Sequence, residues 1–410
     1  MFRTFLQAGF ECSTHKHRTG RRLDLLASTR HDCLAYEDYK RLQAFGIRTV
    51  RVGARWHAIE EIAGEYNFDS LACLFDAAEQ TGTEILLDLL HFGWPEHVDI
   101  FSSTFPAVFS RFVRAVTRFV KERGNCCLKF APVNEISFLS WAGGDVAAIN
   151  PYVRDRGAEL KRNLIRGATA ASDVLLNELA GARLIWPEPV IHIVGHPAIP
   201  GDDLEAERYR LAQYQAWDMI SGRLSPELGG KPEYLDIVGV NFYDRNQWVH
   251  YGNTLLRSDK RYRPFHKMLQ EVWERYCRPM FISETGTEDD GREDWFTYVC
   301  NEVVAAHLLH IPVHGLCLYP IINHPGWDDD RHCYNGLFDY ADANGHREAY
   351  RPLAQAIFNQ QPRLERSYKF SHETDQHRSD LLVPSSVGFR FSAPAAPHEP
   401  VRTRPESFLS

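Results

Sequence analysis

Short apolar runs rich in Val, Ile, Leu and Phe recur along the chain, and each is followed by a longer stretch with helical periodicity. The runs are too continuous for strands with one solvent-exposed face, so they are typical of parallel strands buried on both faces. Eight such strands are predicted, at residues 3–12, 48–54, 84–91, 128–135, 183–190, 236–243, 279–285 and 314–321.

The intervening segments predict eight helices, at residues 34–45, 70–81, 105–123, 157–180, 204–222, 263–276, 292–309 and 346–358. Eight alternations without a reversal favour an α/β fold with one closed (β/α)8 TIM barrel, over residues 1–361, rather than an open doubly wound sheet. No GxGxxG motif follows the first strand, which weakens a nucleotide-binding interpretation.

The end of the chain has a different character. From residue 362 it is polar, rich in Pro and Ser, and without sustained periodicity, so residues 362–410 are predicted to form a disordered tail. A short recognition segment around Val387–Phe391 is the alternative interpretation.

Composition and charge exclude several partners. The chain has 410 residues, with 46 Lys and Arg against 54 Asp and Glu and no long basic block, which argues against nucleic acid binding. The N-terminus lacks the features of a signal peptide, and no uncharged apolar run of about 18 residues occurs, so we expect a soluble cytoplasmic protein without a membrane partner. Oligomeric state is left open.

No cofactor or metal is predicted. The nine cysteines lack paired CxxC spacing, and we expect reduced, mostly buried thiols. A group of histidines, His15, His17, His192 and His196, invites a metal interpretation, but no carboxylate set accompanies it.

Polar residues gather at the predicted strand ends, which is the face of a barrel that carries its chemistry. Glu188 has two interpretations, as a site residue or as part of an ion pair at the barrel rim. The candidate site residues are Arg51, His91, Trp94, Asn134, Glu135, Glu188, Tyr243, Glu284, Tyr319 and Trp327.

Glu135 and Glu284 end the fourth and seventh strands, which are nearly opposite in a ring of eight. Cleavage of a glycosidic bond needs two such groups, one to protonate the leaving oxygen and one to attack the anomeric carbon or activate water. Arg51 is expected to keep one carboxylate ionised and Tyr243 to donate a hydrogen bond to it. Asn134 is placed to reach a sugar hydroxyl, and tryptophans supply flat surfaces for sugar rings.

Together these segments resemble the family 1 glycoside hydrolases, the β-glucosidase-like retaining barrels of clan A. The resemblance covers residues 3–358, and it depends on the order and strand placement of several motifs. These are VRVGARWHAIE (50–60), LLHFGWPEHV (89–98), PVNEISF (132–138), VGVNFYD (238–244), FISETGTEDD (281–290), GLCLYPIINHPGWDDD (315–330) and NGLFDYAD (335–342).

The resemblance implies a retaining β-glycosidase that acts on a small glycoside, with Glu135 as acid/base and Glu284 as nucleophile. It also implies supporting roles for Arg51, His91, Asn134 and Tyr243. The same carboxylates would serve a transglycosidase, and a catalytically silent carbohydrate-binding barrel is a further alternative.

Three departures from the family fall where the terminal sugar binds. The family's first strand leads to a Gln, whereas this chain offers Ser13, Thr14, His15 and Lys16. The strand-eight Trp is Tyr319 and the Glu before the last Trp is Gly326. We therefore expect retained chemistry and a rebuilt pocket for the terminal sugar.

Overall fold

The computed structural model describes residues 1–124 and 126–379, and it contains the eight predicted parallel strands. Each observed strand is shorter than its apolar run because the flanking residues turn into loops. The barrel strands are Leu6–Gly9, Thr49–Gly53, Glu84–Asp88, Lys129–Ala131, Arg183–Pro189, Ile237–Asn241, Met280–Thr285 and Val313–Leu318.

The strands close into one barrel in sequence order. Each strand pairs in parallel with its sequence neighbours, and the first pairs with both the second (Ala8 with Val50) and the eighth (Leu6 with Leu316). The predicted fold class, a single (β/α)8 barrel, is confirmed. All strand ends therefore meet at one face of the barrel.

The first seven predicted helices are present with small shifts in their bounds, and the prediction for 204–222 is divided by a 3-10 turn at Ala212–Tyr214. The predicted helix at 346–358 is instead observed at Arg351–Ser379. Among the described residues, six further helices are short: Leu25–Ser28, Trp56–Ile59, Ile136–Leu139, the π-helix Ser140–Asp145, and the 3-10 helices Pro226–Leu228 and Asp289–Gly291. The longer helices are His31–Gln43, Asp69–Thr81, Phe105–Glu122, Gly157–Glu178, Asp202–Leu211, Gln215–Ile220, Phe265–Tyr276, Arg292–Leu308 and Arg351–Ser379.

Helix Phe105–Glu122 shows how the outer layer is specified. A proline follows Phe105 in the first turn, and Phe105, Phe109, Phe112 and Val116 recur at helical spacing and are buried. Each buried Phe side chain contributes about 1.5–3 kcal/mol. Gly167 on the neighbouring helix allows Phe105 to pack closely, because a Cβ there would collide with the ring.

Apolar side chains from the strands fill part of the barrel interior. Leu86, Ala131, Ile185, Ile237 and Phe281 form a fully buried apolar cluster. Phe2 packs against this cluster from outside, with its ring 4.8 Å from that of Phe281. The barrel is therefore a packed core, and its chemistry is confined to the strand-end face.

The last helix corrects the predicted start of the tail. It continues past residue 361 to Ser379, although Pro362 lies inside it. Leu364 is 1% exposed, and Ser367 exchanges a hydrogen bond with His307 of helix Arg292–Leu308 at 2.8 Å. This packing overrides the local cost of proline. Residues 380–410 lie outside the described residues, as does the segment Val387–Phe391.

Two small sheets that were not predicted lie in the loops after the strands. His192–Val194 pairs in parallel with Gln247–Val249, and His324–Pro325 pairs in antiparallel with His332–Cys333. Among the described helices, none has the length and apolar character needed to cross a membrane.

Candidate active site

Arg51 is the centre of the polar cluster at the strand-end face. Its side chain is fully buried and all five of its N–H groups donate hydrogen bonds. Asp88 accepts two, at 3.0 and 2.7 Å, Asn134 Oδ1 accepts one at 2.6 Å, and the Ser283 carbonyl accepts one at 3.1 Å. The fifth goes to Glu284 Oε1 at 2.6 Å. Arg51 thus joins the second, third, fourth and seventh strands through charge-assisted bonds.

Glu284 is held from both sides. Its Oε1 accepts from Arg51, and its Oε2 accepts from the Tyr243 hydroxyl at 2.8 Å. Burial raises the pKa of Glu284, whereas the positive charge of Arg51 and the Tyr243 hydrogen bond oppose that shift. Both oxygens are therefore oriented, and a neighbouring guanidinium stabilises the ionised form.

His91 lies beside this ion pair. Its Nδ1 is 2.7 Å from Asp88 Oδ2, and its Nε2 is 3.3 Å from Asn134 Nδ2. Burial opposes the charged imidazolium, but Cys12, Asp88 and Glu11 raise the pKa of His91 well above its usual value. Burial likewise opposes ionisation of Asp88, and Arg51 and His91 lower its pKa.

Cys12, Asp88 and His91 are the described residues whose spacing fits a metal, with ligand atoms within 4.8 Å of one another. However, both Asp88 oxygens already accept hydrogen bonds from Arg51, and Oδ2 also contacts His91. A metal there would have to displace a buried guanidinium, so the donor set fits an ion-pair network better than a metal site.

Glu135 has different surroundings. Its Oε1 accepts a hydrogen bond from the neutral amide of Asn241 at 2.8 Å. Burial, with the negative charge of Glu284 as the second cause, raises the pKa of Glu135 to about 8. Its backbone is left-handed, with φ of 46°, a conformation that costs about 1–3 kcal/mol. A hydrogen bond from its N–H to the Pro187 carbonyl at 3.0 Å fixes this turn.

Glu188 lies behind Glu135 and is not among the described residues that line the cavity. It is 2% exposed, and its carboxylate oxygens accept from the Ser137 N–H at 3.1 and 3.3 Å. Burial raises the pKa of Glu188 to about 7, with Ser137 and Lys161 opposing. The fifth strand therefore supports the Glu135 turn at two backbone positions, through Pro187 and Glu188.

Tyr319 covers the network from the eighth strand. Its hydroxyl lies 3.4 Å from His91 Nε2, and its ring is parallel to that of His91 with centroids 5.9 Å apart. Gly9 makes this position accessible, because a Cβ there would overlap the Tyr319 ring. The residue at the end of the first strand therefore determines where the aromatic ring from the eighth can lie.

One cavity of about 2520 Å³ opens over these residues, and Glu135, Glu284, His91, Tyr243 and Tyr319 all line it. Three tryptophans, Trp141, Trp248 and Trp327, are also on its wall. Trp94, a candidate site residue, is buried outside the cavity lining, and so are Trp56 and Trp186. The indole N–H of Trp56 donates a hydrogen bond to Glu60, and that of Trp186 donates one to the Tyr234 carbonyl.

Two neighbours in this site, Glu11 and Asp88, were not predicted from the sequence, and Asn241 lies in the predicted VGVNFYD motif but had no role assigned to it. Asp88 and Asn241 are polar residues at the ends of otherwise apolar strands, which is a usable signal. Glu11 follows the first strand by two residues and is 8% exposed on the cavity wall. The predicted first strand included Glu11, so the sequence did not indicate that Glu11 lies beyond the strand end on the cavity wall.

The fold is that of family 1 β-glucosidase structures. The β-glucosidase from Thermotoga maritima in complex with glucoimidazole superposes with a TM-score of 0.70 at 14% sequence identity, over 90% of this chain and 98% of that chain. A family 1 β-glucosidase structure from the same organism gives 0.69 at 14% identity, over 87% and 96%. The complex with deoxynojirimycin gives 0.68 at 15%, over 89% and 98%.

No protein-family model matches the chain. No curated protein matches it significantly either. The similarity to these structures is therefore one of fold, in the arrangement of the strands and helices.

Proposed function

We propose that this chain is a retaining β-glycosidase of the family 1 type, which hydrolyses a β-O-glycosidic bond through two glutamates. The observation that carries the proposal is that two buried carboxyl groups share one cavity but differ in their partners. Glu284 pairs with Arg51, while Glu135 accepts from a neutral amide and has a pKa raised to about 8. One group is suited to attack and the other to donate a proton.

In the first step, a Glu284 oxygen attacks the anomeric carbon as the bond to the leaving oxygen breaks. Glu135 transfers its proton to that oxygen, so the aglycone leaves as a neutral alcohol and the sugar remains as an ester on Glu284. Of these two carboxyl groups, Glu135 keeps the proton at neutral pH because the Arg51 guanidinium lies 2.6 Å from Glu284 Oε1 and favours its ionised form.

In the second step, Glu135 accepts a proton from water as the water oxygen attacks the anomeric carbon. The ester bond to Glu284 breaks, and the sugar leaves with its original anomeric configuration because two inversions have occurred. This mechanism requires carboxyl groups about 5–5.5 Å apart. The chain Glu135–Asn241–Ser283, with bonds of 2.8 and 2.6 Å, ties Glu135 to the strand that carries Glu284.

The neighbouring groups have roles that follow from their contacts. Tyr243 orients Glu284, and Asn134 Oδ1 accepts from Arg51 and so helps to orient the guanidinium. His91 and Tyr319 lie on the cavity wall, where they would contact sugar hydroxyls, and Trp327 would offer a stacking surface. Because all five N–H groups of Arg51 donate to protein acceptors, its role is electrostatic support of the nucleophile Glu284.

The test is a panel of aryl β-glycosides of neutral sugars assayed with the wild type and with Glu284→Gln. We expect turnover by the wild type with retained configuration by NMR, and a loss of at least about 10⁴-fold in the variant. Glu178→Gln is the matched control, because Glu178 pairs with Arg114 on the outer helices. Inverted product, or a Glu284→Gln rate within tenfold of the wild type, would contradict the proposal.

A further inference from the structure

A third carboxylate, Glu11, lies on the cavity wall with Glu135 and Glu284. Its Oε1 accepts a hydrogen bond from the Ser13 N–H at 2.8 Å and is 3.8 Å from His91 Nε2. Its Oε2 accepts no hydrogen bond from any described residue. Within the same part of the chain, His91 is its only ion-pair contact. Glu11 is therefore oriented by the backbone but retains an acceptor for a ligand.

The cation nearest the reacting groups has no donor left for a ligand. Arg51 is fully buried, is not among the cavity-lining residues, and gives its five N–H groups to Asp88, Asn134, Ser283 and Glu284. An anionic group on a bound sugar would therefore find no free guanidinium beneath it.

The charged groups at the bottom of the cavity, which we call its floor, do not sum to zero. Arg51 and a protonated His91 offset Asp88 and an ionised Glu284, and Glu11 then adds an excess negative charge. If His91 is neutral, the excess is larger. Because these groups are buried, an added anion would meet repulsion that solvent screens poorly.

We propose that Glu11 is a specificity-determining residue that restricts the site to terminal sugars bearing neutral hydroxyl groups. Its Oε2 accepts a hydrogen bond from such a hydroxyl, and its charge excludes sugars with a phosphate or a carboxylate. The inference rests on the proposed function, since a sugar attached to Glu284 must lie over the same floor.

The experiment first identifies the best neutral sugar on the panel with the wild type. It then compares kcat/KM for that aryl β-glycoside with its 6-phosphate and its uronide counterparts. The wild type is expected to prefer the neutral substrate by about 100-fold or more, because like charges brought together in a desolvated site are strongly unfavourable.

Two variants separate charge from contact. Glu11→Gln should lower kcat/KM for the neutral substrate by about tenfold and shrink the discrimination against the anionic ones by about tenfold. Glu11→Asp should also slow the neutral substrate but keep the discrimination, because it keeps the charge. Glu178→Gln, outside the cavity, should leave the ratio unchanged, and thermal unfolding verifies that all variants are folded.

The outcomes distinguish the two proposals. If the wild type turns over neither the neutral glycosides nor their 6-phosphate and uronide counterparts, the proposed function fails and this inference fails with it. If it turns over only an anionic substrate, the proposed function stands and the inference is overturned. If the wild type turns over the neutral substrate and accepts an anionic one equally well, only the inference is overturned. An unchanged ratio in Glu11→Gln, or a ratio that falls equally in Glu11→Asp, also overturns it.

Discussion

The two glutamates of the cavity lie in regions that treat charge in opposite ways. Glu284 belongs to what we call the Arg51 network, formed by Arg51, Asp88, His91, Asn134 and Glu284, where all the hydrogen bonds that Arg51 donates to side chains are charge-assisted.

The second region is the Glu135 turn, formed by Glu135, Ser137, Glu188 and Asn241, where hydrogen bonds come from an amide and from backbone groups. The comparison shows that burial affects the protonation of a carboxyl group differently in the two regions. Where a guanidinium is present, burial strengthens an ion pair, and where none is present, burial keeps a carboxylic acid protonated. Four experiments test this difference.

The largest effect is expected from Glu135→Gln, which removes the proton donor but keeps the shape. The loss in kcat should be about 10²–10⁴-fold for glycosides with poor leaving groups and much smaller for dinitrophenyl glycosides, which need less protonation. Steady-state kinetics on both substrate types will measure it. An equal loss for both types would contradict the role of Glu135 as acid.

The Arg51 network can be broken by Arg51→Met. This change leaves Asp88 and Glu284 buried without their cation, so the free energy of unfolding should fall by about 3–5 kcal/mol. Denaturant titration will measure it. The control is Arg114→Met, which removes a partly exposed pair with Glu178 on the outer helices and should cost less than about 1 kcal/mol. Similar losses in the two variants would mean that the network is not specially stabilising.

The raised pKa of Glu135 should make the free energy of unfolding depend on pH. The folded pKa of about 8 lies above the usual 4.5, so the unfolded chain releases the proton first as pH rises. The free energy of unfolding should therefore fall between about pH 4.5 and 8 and then level. Glu135→Gln removes this fall. The free energy of unfolding of the variant minus that of the wild type should therefore be larger at pH 8 than at pH 4.5, by on the order of 2 kcal/mol. Parallel unfolding curves across pH would contradict it.

The smallest effect is expected from Glu188→Gln. The glutamine oxygen can still accept from Ser137, but a negative charge that raises the pKa of Glu135 is lost. The basic limb of kcat/KM, expected near pH 8 in the wild type, should move to lower pH by about half a unit. The maximum rate should change by less than about threefold. A large fall in rate without a shift of the limb would indicate a structural role only.

Much of this architecture can be predicted from the sequence. The eight strands are continuous apolar runs because both of their faces are buried, and eight βα alternations favour the closed barrel over an open doubly wound sheet. Arg51, His91, Asn134, Glu135, Tyr243 and Glu284 are recognisable as polar residues at strand ends. The bounds of the strands, the π-helix and the two small sheets were not predictable, because loop conformation depends on long-range contacts.

What the sequence by itself determined is the order of the strands and the face on which Glu135 and Glu284 lie, since strand periodicity and connection length are local properties. Only the tertiary structure decided which partner each glutamate has. It gave Arg51 to Glu284 and Asn241 to Glu135, left Glu11 with a free oxygen, and placed Glu188 behind the turn and Trp94 outside the cavity lining. Charge state depends on contacts between residues far apart in the chain, and those contacts exist only when the barrel has closed.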